Sequence, residues 1–94
     1  MVVNVRTYEY EKKNFFEKHN YDFHCETSSM DEYGRYHKEY IFEDGSIWYE
    51  VMGPVFVSQE VTVKECTMNV EFKMFQTEFW NSENSNSKFY YEKF

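Results

Sequence analysis

The sequence predicts an α+β fold: an antiparallel β-sheet of about four to six strands with one N-terminal helix over about residues 8–19, and a second short helical segment near residues 75–80. Three observations lead there. The 94 residues include no Leu and no Ala and only two Ile, but nine Val, ten Phe and nine Tyr. Leu and Ala favour helices, whereas Val, Phe and Tyr suit a pleated, half-buried surface. The apolar repeat changes from helical to two-residue at Tyr21. Finally, Asp44-Gly45 separates two runs of β-favouring residues.

Taken in order, Val2-Val3-Asn4-Val5 reads as a short strand. Thr7 is placed to cap the helix, with Tyr8, Phe15 and Phe16 near one face and the Glu9–Lys13 pair on another. Tyr8-Glu9-Tyr10-Glu11 also alternates as a strand would, and Asn20 is a helix stop. Tyr21, Phe23 and Cys25 then alternate with Asp22, His24 and Glu26, as in a half-buried strand. The polar stretch from Thr27 to Gly34 reads as a loop. Asp44-Gly45 is expected to form a two-residue hairpin with positive φ at both positions. Gly53-Pro54 is expected to break the chain.

Val55, Val57, Val61 and Val63 share one phase, and Cys66, Met68, Val70, Phe72 and Met74 the opposite one. That change implies a turn or a bulge near Lys64-Glu65. Phe72, Phe75 and Phe79 suggest the second helical turn, and residues 81–87 a polar loop. The aromatic tail Phe89, Tyr90, Tyr91 and Phe94 must pack on the domain or on another subunit.

A chain of this length makes a single domain, residues 1–94, with a modest core. Its start lacks the pattern of a secretory signal, and no apolar run approaches the ~18 residues of a membrane span. A cytoplasmic location is the expectation, in which Cys25 and Cys66 are reduced, buried and apolar in behaviour. Net charge is −7. Residues 19–63 hold nine acids against Arg35 and Lys38 alone, so the whole excess lies in the middle of the chain. Such a field opposes direct nucleic-acid binding and favours basic partners.

Catalytic and metal chemistry find little support. His19, His24, Cys25, His37 and Cys66 form no metal-ligand spacing, so neither a metal nor another cofactor is expected. The three glycines are each explained by a turn, which leaves no phosphate cradle. The serines cluster in polar loops, away from any nucleophile context. His37 and Glu39, two apart on a strand, are the one acid–base pair worth carrying forward. Twenty-one aromatic residues exceed what one small core can hide, so some should face a partner.

The acids themselves form the candidate site: Asp22, Glu26, Asp31, Glu32, Glu39, Glu43, Asp44 and Glu50. Alternate strand residues repeat every ~6.6–6.8 Å, while phosphates of one DNA strand advance ~3.4 Å each along the axis. Carboxylates spread over strands and turns can therefore approximate a sparse phosphate lattice. In length, acidic balance and Tyr/Phe/Asn/Glu/Lys-rich composition, the chain resembles small early proteins of large virulent phages. It most resembles the Arn family of anti-restriction proteins from T-even phages. That resemblance is to whole-chain character, with no diagnostic motif. It implies an α+β homodimer that imitates DNA and inhibits McrBC, the restriction enzyme acting on modified cytosine. Small anti-CRISPR proteins share the same appearance.

Three readings follow. A DNA-mimic inhibitor should display most mid-chain acids on one continuous face and bind with steep salt dependence. A protein–protein module binding a host enzyme or polymerase should rely on aromatic and apolar contacts. A small enzyme should hold His37 and Glu39 together in a pocket.

Overall fold

The computed structural model describes residues 1–93, and of Cys25 and Lys93 the backbone only. The expectation of a buried Cys25, and the packing of Phe94, lie outside the described residues. Helix α1 (Val5–Lys18) is followed by β1 (Phe23–Met30), β2 (Tyr36–Phe42), β3 (Ile47–Val63), β4 (Cys66–Asn81) and β5 (Lys88–Lys93). The strands form one antiparallel sheet in the order β1-β2-β3-β4-β5, so each strand lies beside its neighbour in sequence. The α+β class with an N-terminal helix is thus the observed fold.

Helix α1 begins earlier than the sequence suggests. Asn4, in extended backbone, accepts a hydrogen bond from the Thr7 N–H at 2.9 Å and is the cap. Thr7 falls in the first turn, its hydroxyl donating to the same Asn4 oxygen. The expected strand at residues 2–5 shrinks to one parallel bridge between Val2 and Phe89. At the other end His19 caps the helix, and Asn20 and Tyr21 take positive φ, so Asn20 ends it as expected. Tyr21 thereby belongs to the turn, not to β1.

β1 extends through Thr27-Ser28-Ser29-Met30, which polarity alone assigned to a loop. On an edge strand, backbone pairing with β2 satisfies one side while polar side chains face water, so polarity is no obstacle. The connection that remains is short: Asp31 Oδ1 accepts from the Tyr33 and Arg35 N–H groups at 2.9 and 2.8 Å. The β2–β3 hairpin is present, but only Gly45 has positive φ (88°). The Gly45 N–H donates to Phe42 O and the Phe42 N–H to Ser46 O. This is a three-residue turn closing on a glycine, with Asp44 accepting from the Ser46 N–H. The two-residue hairpin lies instead at Lys64-Glu65, with φ of 49° and 66°.

Gly53-Pro54 does not break β3. A Cβ on Gly53 would meet Arg35 Cγ at 2.7 Å, so glycine here admits a crossing side chain. Pro54 lies beyond Met52, which pairs with Tyr36 at the start of β2, so at Pro54 that side of β3 is an edge. Nor is there a helical turn at residues 75–80. Phe75 to Phe79 pair with β3 on one side and β5 on the other, and a central strand imposes the two-residue alternation.

The core lies between α1 and one face of the sheet. Phe15 and Phe16, with half-buried Tyr8, pack on Tyr40, Phe42, Trp48, Phe79 and Tyr90. Rings meet edge to face, as Phe16 and Phe42 do at 5.0 Å and 86°, or stacked, as Trp48 and Phe79 do at 5.6 Å. Each such burial contributes about 1.5–3 kcal/mol, which lets aromatics replace the missing Leu and Ala. The tail packs on the domain as β5, with Tyr90 in the core and Phe89 and Tyr91 on the opposite face.

Beyond the body, β3 and β4 continue alone. Phe56 to Val63 pair with Lys73 to Cys66 in unbroken register, forming a two-stranded arm past the end of β5. The molecule measures 57 × 28 × 20 Å.

Candidate functional site

The eight candidate acids occupy three different settings. Asp22, Glu43 and Asp44 lie where β1 begins and the β2–β3 turn closes; the Glu43 N–H donates to Asp22 O. Asp31 and Glu32 sit at the other end of that hairpin, about 25 Å away at ~3.3 Å per residue of strand. Glu26 and Glu39 lie between, on opposite faces: Glu26 pairs across from Tyr40, which points to the helix, and Glu39 from Thr27 on the uncovered side. One continuous mid-chain face is therefore not what the structure contains.

Glu50 requires a correction. It is 2% exposed and lies beneath α1, so it presents no charge to a partner. Tyr8 and Trp48 donate to its Oε1, the latter at 2.8 Å, and the Lys12 ammonium sits 2.8 Å away. Burial, then the hydrogen bond to Glu50, pushes the Tyr8 phenol far above its usual range. The two-residue alternation that puts Trp48 in the core puts Glu50 there too, so strand phase was the signal that marked it.

Several surface acids are locally compensated. Asp31 accepts from His37 Nε2 at 2.8 Å and from Arg35 Nε at 3.1 Å. The His37 contact first, then the Arg35 and Tyr33 N–H groups, pushes its carboxyl down to about 2. Glu26 pairs with Lys38 at 2.8 Å, which raises the lysine's titration further. Glu43 lies 3.1 Å from His24. His19 contacts Asp44 through Nδ1 and Glu83 through Nε2 at 3.0 Å, while Lys18 reaches Glu83 at 2.9 Å. The Ser46 N–H, then His19, lowers Asp44; Lys18 mainly lowers Glu83. Among the described residues, Asp22, Glu32 and Glu39 have no ion-pair partner.

Acids outside the candidate set complete the pattern. Glu60 and Glu71 project from the arm on the face in phase with the helix side. Glu9 and Glu17 are exposed on α1, and Glu92 is exposed on β5 opposite Phe75. Together with Glu26 they line one side of the molecule. Charge counted by stretches of sequence did not group them, because the helix position and the β3–β4 and β4–β5 registers, not proximity in the chain, put them on one side.

The other side is different in kind. On the arm and at its base, Val55, Val57, Gln59, Val61 and Val63 share a face with Cys66, Met68, Val70, Phe72 and Met74, and none of the ten is charged. Val63, Met68 and Phe72 are 54, 53 and 43% exposed. Cys66, expected to be buried, is exposed, because it follows the turn at the arm's tip. The same phase continues onto the body through Val51, Tyr49 and Trp80, the last two stacked at 4.6 Å.

His37 and Glu39 both line a depression of about 220 Å³ with Thr27, Ser29 and Tyr49. His37 spends Nε2 on Asp31 and Nδ1 on the Tyr49 hydroxyl at 3.0 Å, so neither ring nitrogen is directed at Glu39. Among the described residues no His, Cys, Asp and Glu side chains group as metal ligands, and no helix is long and apolar enough to cross a membrane. Asp44 and Glu83 meet opposite edges of the His19 ring and do not converge. No protein-family model, no curated protein and no solved structure matches the chain.

Proposed function

We propose that this protein is a phage-type inhibitor that mimics DNA with an acidic surface and competitively occupies the DNA-binding channel of a host restriction enzyme of the McrBC type. The observation that carries the reading is the display of charge. Of 17 acids, 12 are exposed and four half-buried, with Glu50 alone withdrawn into the core. They extend over a body 57 Å long, equivalent to about 17 base-pair steps at ~3.4 Å each. Glu9, Glu17, Glu26, Glu60, Glu71 and Glu92 supply one side of it, and Asp22, Glu32, Glu43 and Asp44 the two ends of the β1–β2 hairpin. A homodimer would double this array. A basic DNA channel would be attracted to it without any contact between this protein and nucleic acid.

A second reading has its own observation. The arm's uncharged face, with the Tyr49–Trp80 stack beyond it, is the kind of surface an aromatic-driven protein–protein module uses on a host enzyme or polymerase. The two separate in a DNA-displacement titration. Displacement of DNA from the nuclease that fades between 50 and about 300 mM salt supports mimicry, since screening weakens exposed charge pairs beyond about 10 Å. Salt-independent capture of a partner supports the module.

A further inference from the structure

The β3 edge of the arm is unpaired, and its hydrogen-bond phase follows from the ladder. The Ser82 N–H donates to Ile47 O at 2.9 Å, so the Ile47 backbone faces β4. Register between β3 and β4 is unbroken from Trp48 to Val63, so every second residue from Ile47 bonds to β4, on the arm Val57, Gln59, Val61 and Val63. The residues between them, Phe56, Ser58, Glu60 and Thr62, turn their N–H and C=O groups away from β4. The Thr62 and Thr67 hydroxyls meet at 3.0 Å, in keeping with this phase, because side chains approach most closely in pairs that exchange no backbone bonds. Pro54 has the outward phase too, where its missing N–H breaks no bond to β4. β2 begins opposite Met52 and leaves that side of the arm open. Four outward-facing residues, all exposed, thus present an unpaired ladder over ~23 Å of strand.

Sheets guard such edges with lysines, irregular pairing or short length. β1 has a register shift between Phe23 and Cys25, and β5 is six residues long with Lys at both ends. β3 holds no Lys or Arg from Ile47 to Val63 and stays regular to the tip of the arm. We propose that this edge accepts an extended segment of a basic partner protein as an added strand, in line with β2, in which Lys or Arg alternates with β-branched apolar residues. The two faces of the arm set that alternation. Residues of the added strand opposite Phe56, Ser58, Glu60 and Thr62 stand on the side that carries Glu60 and Glu71. Those between them stand on the uncharged side, beside Val57, Val61 and Val63. Cations in the first set pair with Glu60 and lie against the Phe56 ring, which is 74% exposed. An acidic segment is repelled by a chain of net charge −7. Main-chain bonds then hold the segment and alternate side chains select it. The inference rests on the open ladder and goes beyond the inhibitor reading.

The test is a titration of the full chain with a fluorescent nine-residue peptide alternating Lys and Val, with Lys at both ends. It is run at about 150 mM salt, where long-range attraction is screened, and read by anisotropy and amide hydrogen exchange. Binding should slow exchange at the Phe56, Ser58, Glu60 and Thr62 amides at least tenfold and leave Val57, Gln59 and Val61, already bonded to β4, unchanged. A peptide of the same composition with the alternation broken, and one with Glu in place of Lys, should bind at least tenfold more weakly. Ser58→Pro removes one outward N–H in the phase of Pro54, and should weaken binding at least tenfold while keeping the wild-type circular dichroism. Glu60→Lys should narrow the preference for the Lys peptide over the Glu peptide. No binding, equal binding of the three peptides, or protection without the two-residue alternation would overturn the proposal. So would protection of the four outward amides in the free chain that deepens with its concentration, since a second copy would then hold the edge. Should Ser58→Pro unfold, Glu60→Lys and the wild-type exchange pattern decide. Failure to displace DNA from a nuclease would leave these results untouched and count against mimicry alone.

Discussion

Glu50 shows how much a single position depends on strand phase. Its carboxylate is surrounded by Tyr8, Trp48 and Lys12 under the helix, so removing it leaves the half-buried Tyr8 hydroxyl and the buried Trp48 indole N–H without their acceptor and the Lys12 ammonium without its counter-charge. Glu50→Ala should destabilise the fold by about 3–5 kcal/mol, the cost of breaking a buried ion pair, measured as a lower denaturant midpoint. Asp31 acts in the opposite setting, on the surface. Its carboxyl is held down at about 2 by His37 and by the Arg35 and Tyr33 N–H groups. A carboxyl depressed in the folded state stabilises above its ordinary range and loses that contribution as pH falls through the folded value. Asp44 and Glu83 are depressed in the same direction. Stability should therefore decline below about pH 4, and Asp31→Asn should shallow that decline in a pH series of thermal melts.

At the scale of elements, the Lys64-Glu65 turn places two ordinary residues in the left-handed region that Asn and Gly occupy more readily. Replacing the pair by Asn-Gly should stabilise the protein by roughly 1 kcal/mol without changing register, read as a higher unfolding midpoint. Asn4→Ala should cost about 1 kcal/mol through the lost cap. Such positions also show what the sequence carried. The helix, the alternation at Phe23, the hairpin at Gly45 and the reversal near residue 64 were legible, because each depends on residues adjacent in the chain. The turn types were exchanged between the two hairpins because a left-handed pair can be enforced by strand pairing on both sides, against local preference. Gly53-Pro54 looked like a break because the reason for the glycine, a crossing Arg35, is a contact made at a distance. The candidate site was legible as charge but not as geometry: the acids of residues 19–63 seemed one surface, whereas pairing sends Glu26 and Glu39 to opposite faces and buries Glu50.

The whole molecule carries an acid-bearing side along its length and, on the arm alone, an uncharged face behind it. The central claim is that the first competes with DNA for a basic channel. Because its charge is distributed, a single reversal such as Glu32→Lys should lower inhibition only slightly, while Glu32→Lys, Glu43→Lys, Glu60→Lys and Glu71→Lys together should abolish it. All four are exposed and outside the core, so the fold should persist. The most direct measurement is displacement of DNA from a purified McrBC-type nuclease by the wild type and by this quadruple variant, at low and high salt. Displacement by the wild type that weakens as salt rises, and is lost in the folded variant, is the result the account expects. No displacement at either salt, or equal displacement by the two proteins, would contradict it.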